Sequence, residues 1–360
     1  MQISQPIPLL LTQPEPTSAP TTAALPVKNL GVTYSMAQAV RWLDQRRFAI
    51  GRWDGTLTIF DCTTGRASPA IIAAALTVPS FAGIEMIARL KDGIFASSNE
   101  AKSIMVWQGR NSFDGGIGVR CTLFYDEAIG VANDGTATEI DGVQYFVSAH
   151  ANGYLLVWQV NGDCEGFKLL HTLDLYSPAP IQSPYPLKNV RGVERWKPGF
   201  VVTGSEDGDI CLVNVTEGAV VARMRYNPSA ERGINDIDTC GDHLVLSNCS
   251  VGPDDKNLWL YRITENGFEL LDSLNLKVDP ARHQVFNFCI DQAVVGDKQY
   301  FFSATQEGVV WIGLVENDRF VVIGKQEVST RIGAALAYEP DFRLLAVAGD
   351  NIHVFEIQHG

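Results

Sequence analysis

The chain of 360 residues is 46% hydrophobic, 19% charged and 9% aromatic, which excludes a disordered polymer and provides for a large core. Its 28 lysines and arginines against 41 aspartates and glutamates give a net charge of −13, the wrong sign for general attraction to nucleic acid or anionic lipid. No apolar run approaches the roughly 18 residues of a membrane helix; the longest, 69–78 and 309–315, stop well short.

Residues 1–25 are rich in Pro, Thr, Ser and Gln, lack the basic start of a signal peptide, and carry too little apolar surface to offset their ordering entropy. A mobile Pro-rich tail is expected there. The seven cysteines show neither a CxxC pair nor a disulfide framework, and their apolar settings suit free thiols in a reducing, cytoplasmic compartment.

Further along, one phrase recurs: an apolar strand, a small or polar turn, and a second apolar strand often ending on an aromatic residue. Copies begin at Phe48, Ile94, Tyr145, Phe200, Leu244, Tyr300 and Leu344, a spacing of about 49 residues. Their β-branched and aromatic runs, split by Asp54-Gly55, Asn152-Gly153, Asp207-Gly208 and Glu307-Gly308, are strands joined by tight turns. Weaker apolar strands precede the pairs at 37–43, 84–90, 193–196, 234–237, 286–290 and 332–338, and others follow, as at 167–173 and 268–274. The pattern predicts an all-β, seven-bladed β-propeller of four-stranded antiparallel blades over residues 26–360. The last copy stops at Ile357, so an N-terminal strand at 26–33 is expected to supply the missing outer strand, close the ring and hide a sheet edge.

The order of strand, Asp-Gly turn, strand and aromatic-Asp resembles the WD-repeat propeller family over residues 26–357. The first copy, GRWDGTLTIFDCTTG, carries Asp54-Gly55, Phe60-Asp61 and Thr64-Gly65. At the family's tryptophan position stand Phe60, Trp107, Trp158, Val213, Tyr261, Gly313 and Phe355. The Gly-His dipeptide that family members place before the inner strand is missing, so their buried His and Asp network is expected to be absent. The resemblance implies a fold and a repeat count; function has to be argued from a site.

The sequence has no P-loop, HExxH, GxSxG or EF-hand loop. Its six histidines stand singly, without zinc-ligand spacing; His150 reads as a surface residue and His353 as a packed one. No cofactor or metal is expected. A channel enzyme, hydrolase- or lactonase-like, would use carboxylates such as Asp236, Asp238 and Asp291 on or beside inner strands. The simpler reading has them bonding to neighbouring turn backbone.

One placement stands out. Arginine precedes the inner strands of the fourth to seventh copies, in Arg191-Gly192-Val193, Arg232-Gly233-Ile234, Arg282-His283-Gln284-Val285 and Arg331-Ile332-Gly333. The resemblance puts these on the top face near the channel mouth. There they either receive an anionic group of an acidic or phosphorylated peptide, or pair with turn carboxylates such as Asp54, Asp207, Asp209, Glu307 and Asp350. The connection 173–190 reaches the same face with four prolines, and Tyr176 and Tyr185 are its candidate interface anchors. Its counterpart, 109–126, reads as a second loop with Phe113, Phe124 and Tyr125. The function expected is a non-enzymatic scaffold that binds a protein or peptide through the top face, with no nucleic-acid or membrane partner. The alternatives are the channel enzyme and a fixed subunit of a larger assembly.

Overall fold

Short β-branched runs separated by turn formers pair with their nearest neighbours in sequence, because two-residue and four-residue turns return the chain antiparallel. The computed structural model describes residues 7–8, 22–27, 37–52, 54–62, 66–68, 71–72, 83–99, 103–109, 117–176, 188–227, 233–250, 252, 255–328, 335–339, 344–348 and 352–357.

Strands β1 (Ile7–Pro8) and β2 (Thr22–Val27) precede the first blade: β3 (Ala37–Trp42), β4 (Arg47–Arg52), β5 (Thr56–Asp61) and the short outer pieces β6 (Arg66–Ala67) and β7 (Ile71–Ile72). The next blade holds β8 (Ile87–Lys91), β9 (Ile94–Asn99), β10 (Ser103–Gly109) and β11 (Ile117–Phe124). It is followed by β12 (Ala132–Ile140), β13 (Val143–His150), β14 (Tyr154–Asn161) and β15 (Gly166–Asp174). Then come β16 (Val190–Lys197), β17 (Phe200–Ser205), β18 (Asp209–Asn214) and β19 (Ala219–Arg225). An eight-stranded sheet contains β20 (Ile234–Cys240), β21 (His243–Ser250), β22 (Leu258–Thr264) and β23 (Gly267–Leu274), followed by β24 (Val285–Val295), β25 (Lys298–Thr305), β26 (Val309–Glu316) and β27 (Arg319–Glu327). Two short pairings, Cys249 with Phe286 and Ser250 with Val285, fuse these two four-stranded meanders. The last sheet holds β28 (Ala335–Glu339), β29 (Leu344–Ala348) and β30 (Ile352–Ile357), with β2 beside β30 in register from Thr22–Ile357 to Val27–Ile352. The molecule is an all-β propeller of four-stranded antiparallel blades.

Three boundaries differ from expectation. The strand beside β30 is Thr22–Val27 and β1 pairs with it in turn, so residues 7–8 and 22–25, expected in the tail, are paired in a sheet, and 28–33 lie outside the described residues. The connection 109–126, expected to be a loop, contains the eight-residue strand β11, which pairs with β10 over Ser103–Gly109. The inner strand that four-stranded blades require in the third copy, β12, had no range assigned, because Asn133-Asp134-Gly135 looks like a turn. Gly135 is instead a close-packing site, where a Cβ would lie 2.8 Å from Met86 Sδ and 2.9 Å from the Phe146 ring.

Hydrophobic cores lie between neighbouring blades. Leu43, Ala49 and Leu57 of the first meet Ile87, Phe95 and Trp107 of the second, and Met86, Ala96 and Val106 meet Phe146, Leu156 and Trp158. The same arrangement continues around to Phe302, Ile312 and Leu314 against Leu336, Leu345 and Phe355. Val40, Trp42 and Phe48 then pack against Ala337, Ala346 and Val354, and Trp42 Nε1 donates to the Ala337 carbonyl at 2.9 Å.

Two β-bulges recur. On the outermost strands the extra residues Arg120, Leu170, Val221, Leu271 and Ile323 lie beside the partners Trp107, Trp158, Val213, Tyr261 and Gly313. Those are the positions that the repeat phrase aligns with one another, so the repeat has a conformational counterpart. The second bulge lies on the inner strands and builds the channel mouth.

His150 is a correction: it is fully buried. Its ring bonds to Ser148 Oγ at 2.9 Å and the Gly130 carbonyl at 3.1 Å, and Trp158 Nε1 donates to the same Ser148 Oγ at 3.4 Å. A Trp–Ser–His chain thus exists in the third blade although no Gly-His dipeptide announces it. The side chain of His353 lies outside the described residues.

Candidate functional site

The inner strands β3, β8, β12, β16, β20, β24 and β28 surround the channel; the face where they begin is here called the upper face, and the face where they end the lower. A bulge inserts one residue near the start of five of them: Gln38, Asn133, Arg191, Asn235 and Phe288. A bulge bends a strand and re-aims its extra side chain. All five side chains line one cavity of about 140 Å³ at the upper mouth, together with Glu85. The sequence signal was present but faint, since one polar residue interrupts the apolar run in Ala37-Gln38-Ala39-Val40 and two interrupt it in Ile234-Asn235-Asp236-Ile237.

Below this rim the channel is acidic. Asp134, Glu194, Asp236, Asp238 and Asp291 surround the Arg41 guanidinium, which lies 3.4 Å from Glu194 Oε1 and 3.8 Å from Asp134 Oδ1. Burial disfavours charge on Arg41, but Glu194 and Asp134 outweigh it and hold its pKa above the ordinary value. Burial likewise pushes Glu194 up to about 7 and Asp291 up to about 6. Asp236 and Asp238 are raised well above the usual carboxylate range, both mainly by burial and Asp238 also by the Asp291 charge.

Most of these carboxylates have a definite structural task. Asp134 Oδ2 accepts from Val193 N at 2.8 Å, Asp236 Oδ2 from Ile290 N at 2.9 Å, and Asp291 Oδ2 from Tyr338 N at 2.6 Å. Each bond runs from one inner strand to that of the next blade. The simpler sequence reading, a bond to turn backbone, is therefore corrected: the partners are strand N–H groups. Asp238 differs, since its Oδ2 is buried with no hydrogen-bond partner. Among the described residues no group of three or more His, Cys, Asp or Glu side chains is arranged to hold a metal ion.

Two of the four arginines expected on the upper face are described. Arg191 is the bulged residue of β16, pairs with Glu206 Oε2 at 3.3 Å, and keeps 36% of its side chain exposed. Arg282 pairs with Glu307 Oε1 at 3.6 Å and keeps 49% exposed. Both partners sit in upper-face turns between second and third strands. Arg232 and Arg331 lie outside the described residues. The glycines that follow two of the arginines have their own cause. A Cβ at Gly192 would lie 2.7 Å from Ile237 Cγ1, and one at Gly233 would overlap the Glu206 carbonyl at 1.6 Å, so only glycine admits the neighbouring chain.

Tyr176 is only 5% exposed, and its hydroxyl donates to Asp207 Oδ1 at 2.8 Å. Lys188 and Arg223 stand over its ring, 5.8 and 5.9 Å from the centroid. It thus fixes the base of the proline-rich connection and the turn bearing Asp207, rather than standing out from them. Tyr185 lies outside the described residues.

These features define a β-propeller whose cross-strand stitches hold a polar channel mouth and a charged upper face in place. No protein-family model matches the sequence, and no curated protein matches it either. Solved structures do match: the chain is similar to the β-propeller domain of Cps50 (Swd1) from Myceliophteria thermophila, at 13% identity and a TM-score of 0.64, over 90% of this chain and 97% of that one. At that identity the likeness shows the fold.

Proposed function

We propose that the protein is a seven-bladed propeller of WD-repeat type, closed by its N-terminal strand, that serves as a non-enzymatic platform for a protein or peptide partner. The ring count is supported by inner strands that pack in succession from β3 to β28, with β28 returning to β3. In this reading residues 26–360 are the propeller and the chain before them is a tail, apart from the residues of β1 and β2 that join the last sheet. Seven free thiols fit a cytoplasmic setting.

The observation that carries the platform reading is the state of Arg191 and Arg282. Each guanidinium is partly exposed, faces the upper side, and is held by one glutamate at the long end of ion-pair distance. The arginine side of each pair is open to solvent, so an incoming carboxylate or phosphate can reach the guanidinium and be gripped bidentately. Three of the channel carboxylates, by contrast, are committed to backbone stitches, which favours binding over chemistry. Arg191 and Arg282 are the described anchors, Arg232 and Arg331 continue the arc in this reading, and Tyr176 and Tyr185 frame it.

Fluorescence anisotropy with acidic, phosphorylated and neutral peptide libraries tests the reading. Acidic or phosphorylated peptides should bind wild type and lose at least tenfold in affinity to an Arg191→Glu, Arg282→Glu variant of unchanged melting temperature. Equal binding by wild type and variant would remove the arginines from the site.

A further inference from the structure

Toward the lower face, β8, β12, β16 and β20 line a second cavity of about 830 Å³. It is of the size that small-molecule sites have, about 300–1,000 Å³. In a protein of net charge −13 its wall has a cationic excess: Arg89 and Lys91 of β8 and Arg195 of β16 against Asp92 and Glu194, with the hydroxyl-bearing Thr136 and Thr239 also lining it.

The three cations differ in how they are held. Lys91 is bonded to Asp163 of the next blade. Among the described residues Arg89 is paired only with Asp92 of its own turn, whose side chain is 85% exposed, a solvent-screened bond that a doubly charged anion can displace. Arg195 is exposed and has no carboxylate within ion-pair distance among the described residues. It lies between Glu194, which is turned to Arg41 at 3.4 Å, and Trp196, whose Nε1 donates to Asp242 Oδ1 at 2.9 Å. Arg195 and Glu194 both line the cavity, and of the two only Glu194 is engaged with another side chain among the described residues. The Thr239 hydroxyl donates to the Arg195 carbonyl at 2.6 Å, which fixes the backbone beneath the guanidinium. Two carboxylates share the wall: Asp92, paired with Arg89, and Glu194, which lies beside Arg41 and which burial pushes up to about 7.

We propose that this lower cavity binds the phosphate group of a small phosphorylated molecule, gripped by the Arg195 and Arg89 guanidinium forks with Thr136 as a hydroxyl donor. Guanidinium matches phosphate bidentately and is less tightly hydrated than ammonium, so a free arginine at a cavity wall is the better grip. The site is independent of the upper-face arginines and lies at the opposite end of the channel.

Titration calorimetry of the full chain at low salt, with pyrophosphate as probe and citrate as a carboxylate control, decides it. Pyrophosphate should bind wild type, lose at least tenfold in affinity to Arg195→Glu, lose less to Arg195→Gln, and bind the Arg191→Glu, Arg282→Glu variant as it binds wild type. Arg195 is exposed, so both substitutions keep the fold, which a thermal melt verifies. Absence of pyrophosphate binding, unchanged binding by Arg195→Glu, or tighter binding of citrate than of pyrophosphate would each overturn the proposal.

Discussion

Gly313 shows how one position can depart from its repeat and still be constrained. The other copies place Phe60, Trp107, Trp158, Val213, Tyr261 or Phe355 there, yet at Gly313 a Cβ would lie 2.1 Å from the Phe301 ring and 2.8 Å from the Val321 carbonyl. Phe301, fully buried, occupies the volume that a side chain at 313 would need. Gly313→Ala should cost about 1–3 kcal/mol as an overpacked core, read from urea unfolding. Combined with Phe301→Leu, which vacates part of that volume, the loss should be smaller than the sum of the two single losses. Additive losses would mean that the two residues do not share the space.

The strand is the scale at which the sequence was most and least informative. Middle strands such as Phe200–Ser205 and Asp209–Asn214 were legible because both faces are buried over most of their length and each carries an apolar run. Inner strands carry the channel, and the polar side chains that line it break that pattern: β12, Ala-Asn-Asp-Gly-Thr-Ala-Thr-Glu-Ile, has the composition of a turn and the structure of a strand. Of the site, the upper-face position of Arg191 and Arg282 was legible from their place in the repeat. The bulges that aim Gln38, Asn133, Asn235 and Phe288 into the mouth were not, because a bulge is a matter of register with a partner strand that the local sequence does not encode. The same polar residues explain cohesion between blades. Asp236→Ala should leave the Ile290 N–H buried without an acceptor and cost about 1–3 kcal/mol, whereas Asp236→Asn, neutral and still an acceptor, should lose much less. Denaturant titration of the two variants checks this, and equal losses would show that charge, not the cross-strand bond, is what position 236 provides.

For the whole molecule the channel acids set a pH dependence. Burial raises the folded-state pKa of Glu194 to about 7 and of Asp291 to about 6, and raises Asp236 and Asp238 further above the usual range. The folded state therefore holds protons that the unfolded chain releases, so this contribution is full below the ordinary carboxylate values and drains as pH rises through about 6–7. His150 acts in the opposite sense: burial lowers it to about 4, so its contribution is present above the ordinary histidine value and is lost as pH falls toward 4. The carboxylates outnumber the histidine, so thermal melts should show the midpoint rising as pH falls from about 7 to about 5. A midpoint that is flat between neutral and mildly acid pH would mean that the channel is hydrated enough to leave its carboxylates ordinary.

The platform account is tested most directly by cross-linking mass spectrometry on the protein captured with its partner from the native source. Lysines mark the two faces: Lys188, Lys256 and Lys277 lie in upper-face connections, whereas Lys91, Lys197 and Lys298 lie at lower-face strand ends. The account predicts partner cross-links concentrated on Lys188, Lys256 and Lys277 and lost in the Arg191→Glu, Arg282→Glu variant. Cross-links confined to Lys91, Lys197 and Lys298, or undiminished in that variant, would contradict it.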